Sequence, residues 1–247
     1  MLKLKIFLKL PKKGLYMLEE VIDKISFIVV GAGKSVRFKS KKIFYMIDGK
    51  IPLLIFTLKN IIDAFGKDAE LIFVHSKEDK SKIEDLLKNY KIENVKLVEG
   101  GEERPLSVFN GLLSCSNDTV FIHDCARPFL SKKFLLSIFE TYKKNKKPLT
   151  PYTKPFDTVR VNENGKVITL NRNDVMLIQT PQILKKSLYL PILKKYVEKN
   201  LYLTDDVEYL LREGFEVNFV EGERTNIKVT DQTDINLVET IYKGWEK

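Results

Sequence analysis

Ile25-Ser26-Phe27-Ile28-Val29-Val30-Gly31-Ala32-Gly33-Lys34-Ser35-Val36-Arg37-Phe38 decides how the rest of the chain is read. Ile25–Val30 is apolar except for Ser26 and rich in β-branched side chains, as a strand buried on both faces of a parallel sheet requires. Small residues follow at once. In open α/β sheets ligands bind beyond the carboxyl ends of the strands, and Gly31, Ala32 and Gly33 let backbone N–H groups approach phosphate oxygens. Lys34, Arg37 and the nearby Lys42 add positive charge. The run is neither a Walker loop nor a dinucleotide fingerprint, because the glycine spacing of both is missing.

Working outward, short apolar runs at Ala69–His75, Asn94–Val98 and Thr119–His123 predict further buried strands. Between them Leu54, Ile55, Leu58, Ile61, Ile62 and Phe65 repeat at helical spacing, and Ser131 is placed to cap a helix carrying Phe134, Leu135, Ile138, Phe139 and Tyr142. Such alternation predicts an α/β sandwich with a mostly parallel sheet and right-handed crossovers. One stretch departs from it: Asp157–Val161 and Lys166–Leu170 flank Asn164-Gly165, a strong hairpin signal. A lone hairpin is marginally stable in water and needs a packing partner. Helical patterns follow at 183–199 and 205–213, then a strand near Phe215–Val220 and a last helix with Ile235, Val238, Ile241, Tyr242 and Trp245 on one side. No repeat or linker divides residues 25–247, so they read as one domain.

Residues 1–24 form an extension to which no function is assigned; Leu and Ile alternate with Lys there, and Met17 is an alternative start. The net charge of +9 in 247 residues is compatible with nucleic acid, anionic membranes or phosphorylated small molecules. The lysines are spread along the chain with no basic stripe interleaved with aromatics outside the N-terminal arm, which argues against nucleic acid. No apolar run is long enough to span a bilayer. Two cysteines, Cys115 and Cys125, and two histidines make neither a disulfide framework nor a zinc cluster, and point to a reduced, cytoplasmic protein.

Three more blocks carry chemistry. In Glu99-Gly100-Gly101-Glu102-Glu103-Arg104-Pro105-Leu106-Ser107-Val108 the paired glycines permit close contact with a planar base, whose edge Ser107 is able to hydrogen-bond. Arg104 reads either as a phosphate ligand or as the partner of a nearby acid. In His123-Asp124-Cys125-Ala126-Arg127-Pro128, an acid at a strand's carboxyl end suits Mg²⁺ held by one carboxylate plus substrate phosphates. His123 there reads as a satisfied core histidine, and Arg127 as a substrate ligand or a loop tie. In Asn226-Ile227-Lys228-Val229-Thr230, Lys228 stands in an apolar, strand-like setting beside a loop junction.

Taken in order, with Gly111-Leu112, Asp157-Thr158, Arg172, Thr180-Pro181-Gln182, Thr204-Asp205-Asp206 and Val220-Glu221-Gly222, these blocks resemble the 2-C-methyl-D-erythritol 4-phosphate cytidylyltransferase family of isoprenoid-precursor biosynthesis. The resemblance runs from about Ile25 to the last helix. It implies a single-domain, Rossmann-like α/β sandwich that transfers CMP from CTP to the polyol phosphate. The hairpin arm, about 153–172, would join a homodimer. It implies that Arg37, Lys42 and Lys228 stabilise the triphosphate and its developing charge, and that Asp124 holds Mg²⁺. Gly31, Ala32, Gly33, Gly101, Glu102 and Ser107 would bind the nucleotide; Arg127, Thr158, Arg172 and Thr204 would bind the acceptor, the arm residues serving the neighbouring subunit's site. Departures exist: Ser35 stands where a glycine is usual, and Lys41-Lys42-Ile43 where the family has Pro-Lys-Gln, which leaves open whether Lys41 or Lys42 grips the phosphates. The nearest rival is a ribitol 5-phosphate cytidylyltransferase, which shares loop, acid and arm. Ala126-Arg127-Pro128 and Ser107-Val108 with Gly111-Leu112 favour methylerythritol phosphate. A non-catalytic nucleic-acid-binding protein is the alternative of another class.

Overall fold

A computed structural model of the chain describes residues 24–33, 38 and 41–245. The readings of the N-terminal extension up to residue 23 and of Lys34, Ser35 and Arg37 lie outside the described residues. Four strands form the parallel heart of the sheet: β1 (Ile25–Val30), β4 (Ala69–His75), β5 (Val95–Glu99) and β6 (Thr119–Asp124). The short pair β2 (Met46–Ile47) and β3 (Ile51–Pro52) lies outside it. β1 sits between β6 and β4, and β5 is the far edge. Val30, His75 and Asp124 therefore end at one rim. β7 (Leu149–Thr153), β10 (Leu177–Ile178), β11 (Gln182–Lys185) and β12 (Asn218–Glu221) extend the sheet beyond β6, which β11 joins antiparallel.

Alternation along β1 feeds two cores. Phe27 and Val29 face one side, where Phe27 stacks on Phe121 at 4.9 Å between ring centres. That side is covered by α1 (Leu53–Phe65), α4 (Lys132–Asn145) and α7 (Ile235–Trp245), with α2 (Lys80–Asn89) beside β4 and β5. Ile28 faces the other side, covered by α3 (Arg104–Ser114), α5 (Lys186–Glu198) and α6 (Asp206–Arg212). Ser131 caps α4 as expected, its hydroxyl accepting from the Phe134 N–H at 3.0 Å. Both cysteines are buried free thiols whose pKa burial pushes up to about 12.

Several boundaries differ from the sequence reading. Residues 183–185, expected to be helical, belong to β11 (Gln182–Lys185), because Gln182, Ile183 and Leu184 are buried alongside β6. β7 was not foreseen: Pro148 and Pro151 mask it, yet the Pro151 carbonyl still accepts from the Gln179 N–H. The hairpin comprises β8 (Val159–Glu163) and β9 (Lys166–Leu170), so its first strand runs two residues later than expected. Glu163 pairs with Lys166, leaving only Asn164 and Gly165 in the turn, and both take the positive φ that such a turn demands. Asn226–Thr230 is irregular rather than a strand. No described helix is long and apolar enough to cross a membrane.

Candidate active site

The loops after β1, β5 and β6 meet in one cleft, lined by Gly31–Gly33, Lys42, Gly101–Arg104, Ser107, Asp124 and Lys228 among others. Backbone hydrogen bonds continue past the strand ends to build its rim: Gly31 N–H donates to Val74, Gly100 N–H to His75 and Cys125 N–H to Val30. Gly100 is there because nothing larger fits. A Cβ on it would stand 2.6 Å from both the Ala32 Cβ and the Ser107 Oγ. A Cβ on Gly101 would collide with Leu106. The buried Ser107 hydroxyl accepts from the Gly101 N–H at 3.2 Å and so braces the turn facing the cleft.

At the floor lies a chain of four charges. Lys228 Nζ is 2.6 Å from one oxygen of Asp124 and Arg104 Nε is 2.9 Å from the other. Arg104 Nη2 continues to Asp206 at 2.8 Å. Burial alone would raise the Asp124 pKa, but the charges of Arg104 and Lys228 outweigh it and hold the carboxyl far below the usual carboxylate range. Asp206, 1% exposed, also accepts from the Tyr189 hydroxyl. The Asp206 and Val207 N–H groups donate to the side-chain carbonyl of buried Gln182, and Asp205 caps α6 through Val207 and Glu208. Arg104 thereby ties the start of α3 to the end of β6 and the start of α6.

His123 is the satisfied core histidine expected. Its Nε2 lies 3.0 Å from the Arg127 carbonyl and its Nδ1 2.9 Å from the Thr180 hydroxyl, whose oxygen accepts from the Asp124 N–H. One tautomer fits both contacts: Nε2–H donates, and Nδ1 accepts from Thr180. Burial lowers the His123 pKa to about 4, so the ring is neutral at pH 7.

Lys42 and Lys41 point to different places. Lys42 lines the cleft and its ammonium lies 3.1 Å from the Val229 carbonyl. Lys41 is held instead by Ser76, Glu78 and Asp79. Arg127 ties loops together through the carbonyls of Asn226 and Ile178, and with Lys228 it lines a second cleft beside the first. Thr158 and Arg172 lie at the hairpin and Thr204 on the approach to α6, none of them in the cleft. Arg172 donates to the Phe156 carbonyl and Thr204 to Glu208. Sequence reasoning missed the partnership of Arg104 with Asp206. Its only signals were an arginine opening a helix and a second aspartate after a capping one.

The chain matches the profile of the family described as IspD, 2-C-methyl-D-erythritol 4-phosphate cytidylyltransferase, over residues 25–243. It belongs to that family. Among curated relatives named 2-C-methyl-D-erythritol 4-phosphate cytidylyltransferase, the protein of Dictyoglomus thermophilum is 37% identical, covering 91% of this chain and 99% of the relative. That of Aquifex aeolicus is 35% identical, with 87% and 95% covered. The crystal structure of 4-diphosphocytidyl-2C-methyl-D-erythritol synthase from Anaerococcus prevotii superposes with a TM-score of 0.78 at 31% identity, covering 90% of this chain and 97% of that one. The sandwich and mostly parallel sheet expected from the sequence are thus the fold of the family.

Proposed function

We propose that this chain transfers the CMP moiety of CTP to 2-C-methyl-D-erythritol 4-phosphate, giving 4-diphosphocytidyl-2-C-methyl-D-erythritol. An oxygen of the acceptor phosphate attacks the α-phosphorus of CTP, and the bond from that phosphorus to the β-phosphate's bridging oxygen breaks to release pyrophosphate. Such a step needs in-line positioning and charge stabilisation rather than a covalent enzyme nucleophile. The convergence of Lys42, Lys228 and Asp124 on a cleft walled by Gly31–Gly33 and Gly101 carries the proposal. Lys42 and Lys228 offset the negative charge of the triphosphate and of the leaving pyrophosphate; Arg37 joins them by family resemblance. Gly101, Glu102 and Ser107 hold the cytosine, and the brace between Ser107 and Gly101 fixes that wall of the cleft. Arg127 serves the acceptor in the adjoining cleft that shares Lys228.

The donor set suits Mg²⁺. Among the described residues no group of three or more His, Cys, Asp and Glu forms a ready-made cage. The ionised Asp124 carboxylate, whose two oxygens face Arg104 and Lys228 here, matches a cation that takes one or two carboxylates and completes its shell with phosphate and water. Asp124 would hold it, and the bound ion would supply Lewis-acid charge to the phosphates.

The hairpin supports a homodimer. Among the described residues β8 and β9 pair only with each other, and Val159, Val161, Ile168 and Leu170 share one face. Ile168 and Leu170 are exposed, as is Phe156 at 70%. A second copy would cover this surface, and Thr158 and Arg172 would then reach the partner's acceptor. The buried thiols fit the reducing cytoplasm.

Incubation with CTP, Mg²⁺ and either methylerythritol phosphate or ribitol 5-phosphate, following pyrophosphate release, tests the reading. Release with the first alone is expected. Release with ribitol phosphate alone would move the acceptor assignment, and silence with both would overturn the reaction.

A further inference from the structure

Lys41 and Lys42 are adjacent and do different things. Lys42 opens the turn Lys42–Phe44 and lines the cleft. Lys41 caps that turn with no side-chain bond back to it; its ammonium leaves the cleft altogether. It lies 3.0 Å from Ser76 Oγ, 2.8 Å from Glu78 Oε1 and 2.9 Å from Asp79 Oδ2, all in the connection between β4 and α2. Those three groups saturate an ammonium's three donors. The receiving site is itself built: Ser76 donates to Asp79, and Asp79 is 7% exposed. Burial alone would lower the Lys41 pKa, but the hydrogen bonds to Glu78 and Asp79 outweigh it and raise it. A second tie joins the same elements, since the Lys82 ammonium sits 4.0 Å from the centre of the Phe44 ring.

The backbone of Lys41 is equally informative. Its φ is −65°, the value a proline ring would impose. A proline fixes that angle covalently. A lysine leaves it free unless something distant holds the residue, and here three hydrogen bonds do.

We propose that Lys41 is a positioning residue: gripped by Ser76, Glu78 and Asp79, it pins the start of the Lys42–Phe44 turn and so aims Lys42 into the cleft. The inference rests on the reading of Lys42 as a triphosphate ligand. Lys41 itself touches no reacting group. Its effect is therefore confined to the substrate that Lys42 binds, which is CTP, and spares the polyol phosphate.

Steady-state kinetics of pyrophosphate release, with CTP and methylerythritol phosphate varied separately, test this in four variants. A misplacement of about 1 Å in a positioned group can cost up to about a hundredfold in rate; a loosened rather than lost Lys42 is expected to cost about tenfold. Lys41→Met should lower kcat/KM for CTP by that factor, leave the KM for the polyol phosphate unchanged and preserve the melting temperature. Asp79→Asn, which weakens the grip from the other side, should reproduce the loss in part. Lys41→Pro, which fixes φ without any charge, should recover most of the activity. Lys42→Met should lose more than any of them. Wild-type kcat/KM in Lys41→Met would overturn the inference while leaving Lys42 intact. Lys41→Pro no better than Lys41→Met would mean that the ammonium's charge, not the turn geometry, matters, which also overturns it. Full activity in Lys42→Met would instead remove the reading of Lys42, and this inference with it.

Discussion

Replacing Arg104 by methionine removes the side chain that bridges buried Asp124 and Asp206. Asp124 keeps a cation, because Lys228 stays 2.6 Å away. Asp206 does not: at 1% exposure it is left, among the described residues, with the Tyr189 hydroxyl as its one side-chain donor. Breaking a buried pair in this way costs about 3–5 kcal/mol. The expected loss is therefore about 3–5 kcal/mol at pH 7. Arg104→Met/Asp206→Asn should recover most of it, as the buried charge is gone. Urea unfolding followed by the fluorescence of Trp245, which packs against Phe56 and Phe129, reads both variants. A loss below about 1 kcal/mol, the scale of an exposed pair, or a double variant no more stable than the single one would refute the reasoning.

The neutral His123 makes folding sensitive to acid. Its folded pKa of about 4 lies below the reference 6.5, so the unfolded chain binds the extra proton between them, and this contribution is complete above 6.5 and lost as pH falls towards 4. The slope in that window should be on the order of 1.4 kcal/mol per pH unit; an equal slope in His123→Gln would show that the ring is not responsible. Ile168→Glu places a charge on the apolar face of the hairpin and should convert dimers to monomers in sedimentation velocity while leaving the monomer's unfolding midpoint unchanged. A dimer that persists would detach the arm from assembly.

How much of this was written in the sequence depends on the range of the interaction. Strand β1 was legible because Ile25–Val30 is buried on both faces, and a two-sided core needs a nearly continuous apolar run, here broken only by Ser26. The hairpin turn was legible because Asn164 and Gly165 adopt backbone conformations that few other residues tolerate. β7 and β11 were not, because their strand character comes from neighbours far along the chain. Pro151 and Gln182 carry little strand signal of their own, yet the sheet places them. Gly31 and Gly101 could be picked out because each lies just past a strand end, and Asp124 because it closes β6; Ser107, inside α3, and Lys228, in the irregular stretch after β12, were legible only from the sequence blocks around them. Arg104 and Asp206 stand 102 positions apart, and only the folded chain reveals that they meet. The same holds for Lys41 and Lys42, which composition cannot tell apart and which the contacts of Ser76, Asp79 and Val229 separate at once.

The central claim is that the cleft floor stabilises charge on a reacting triphosphate. Turnover of CTP and methylerythritol phosphate by Lys228→Ala tests it most directly, with circular dichroism and the melting temperature confirming that the variant is folded. Removing one donor aimed at developing charge typically costs about 2.7–4 kcal/mol, so kcat should fall by about a hundred- to a thousandfold. A folded Lys228→Ala whose kcat stays within about twofold of the parent would contradict the account.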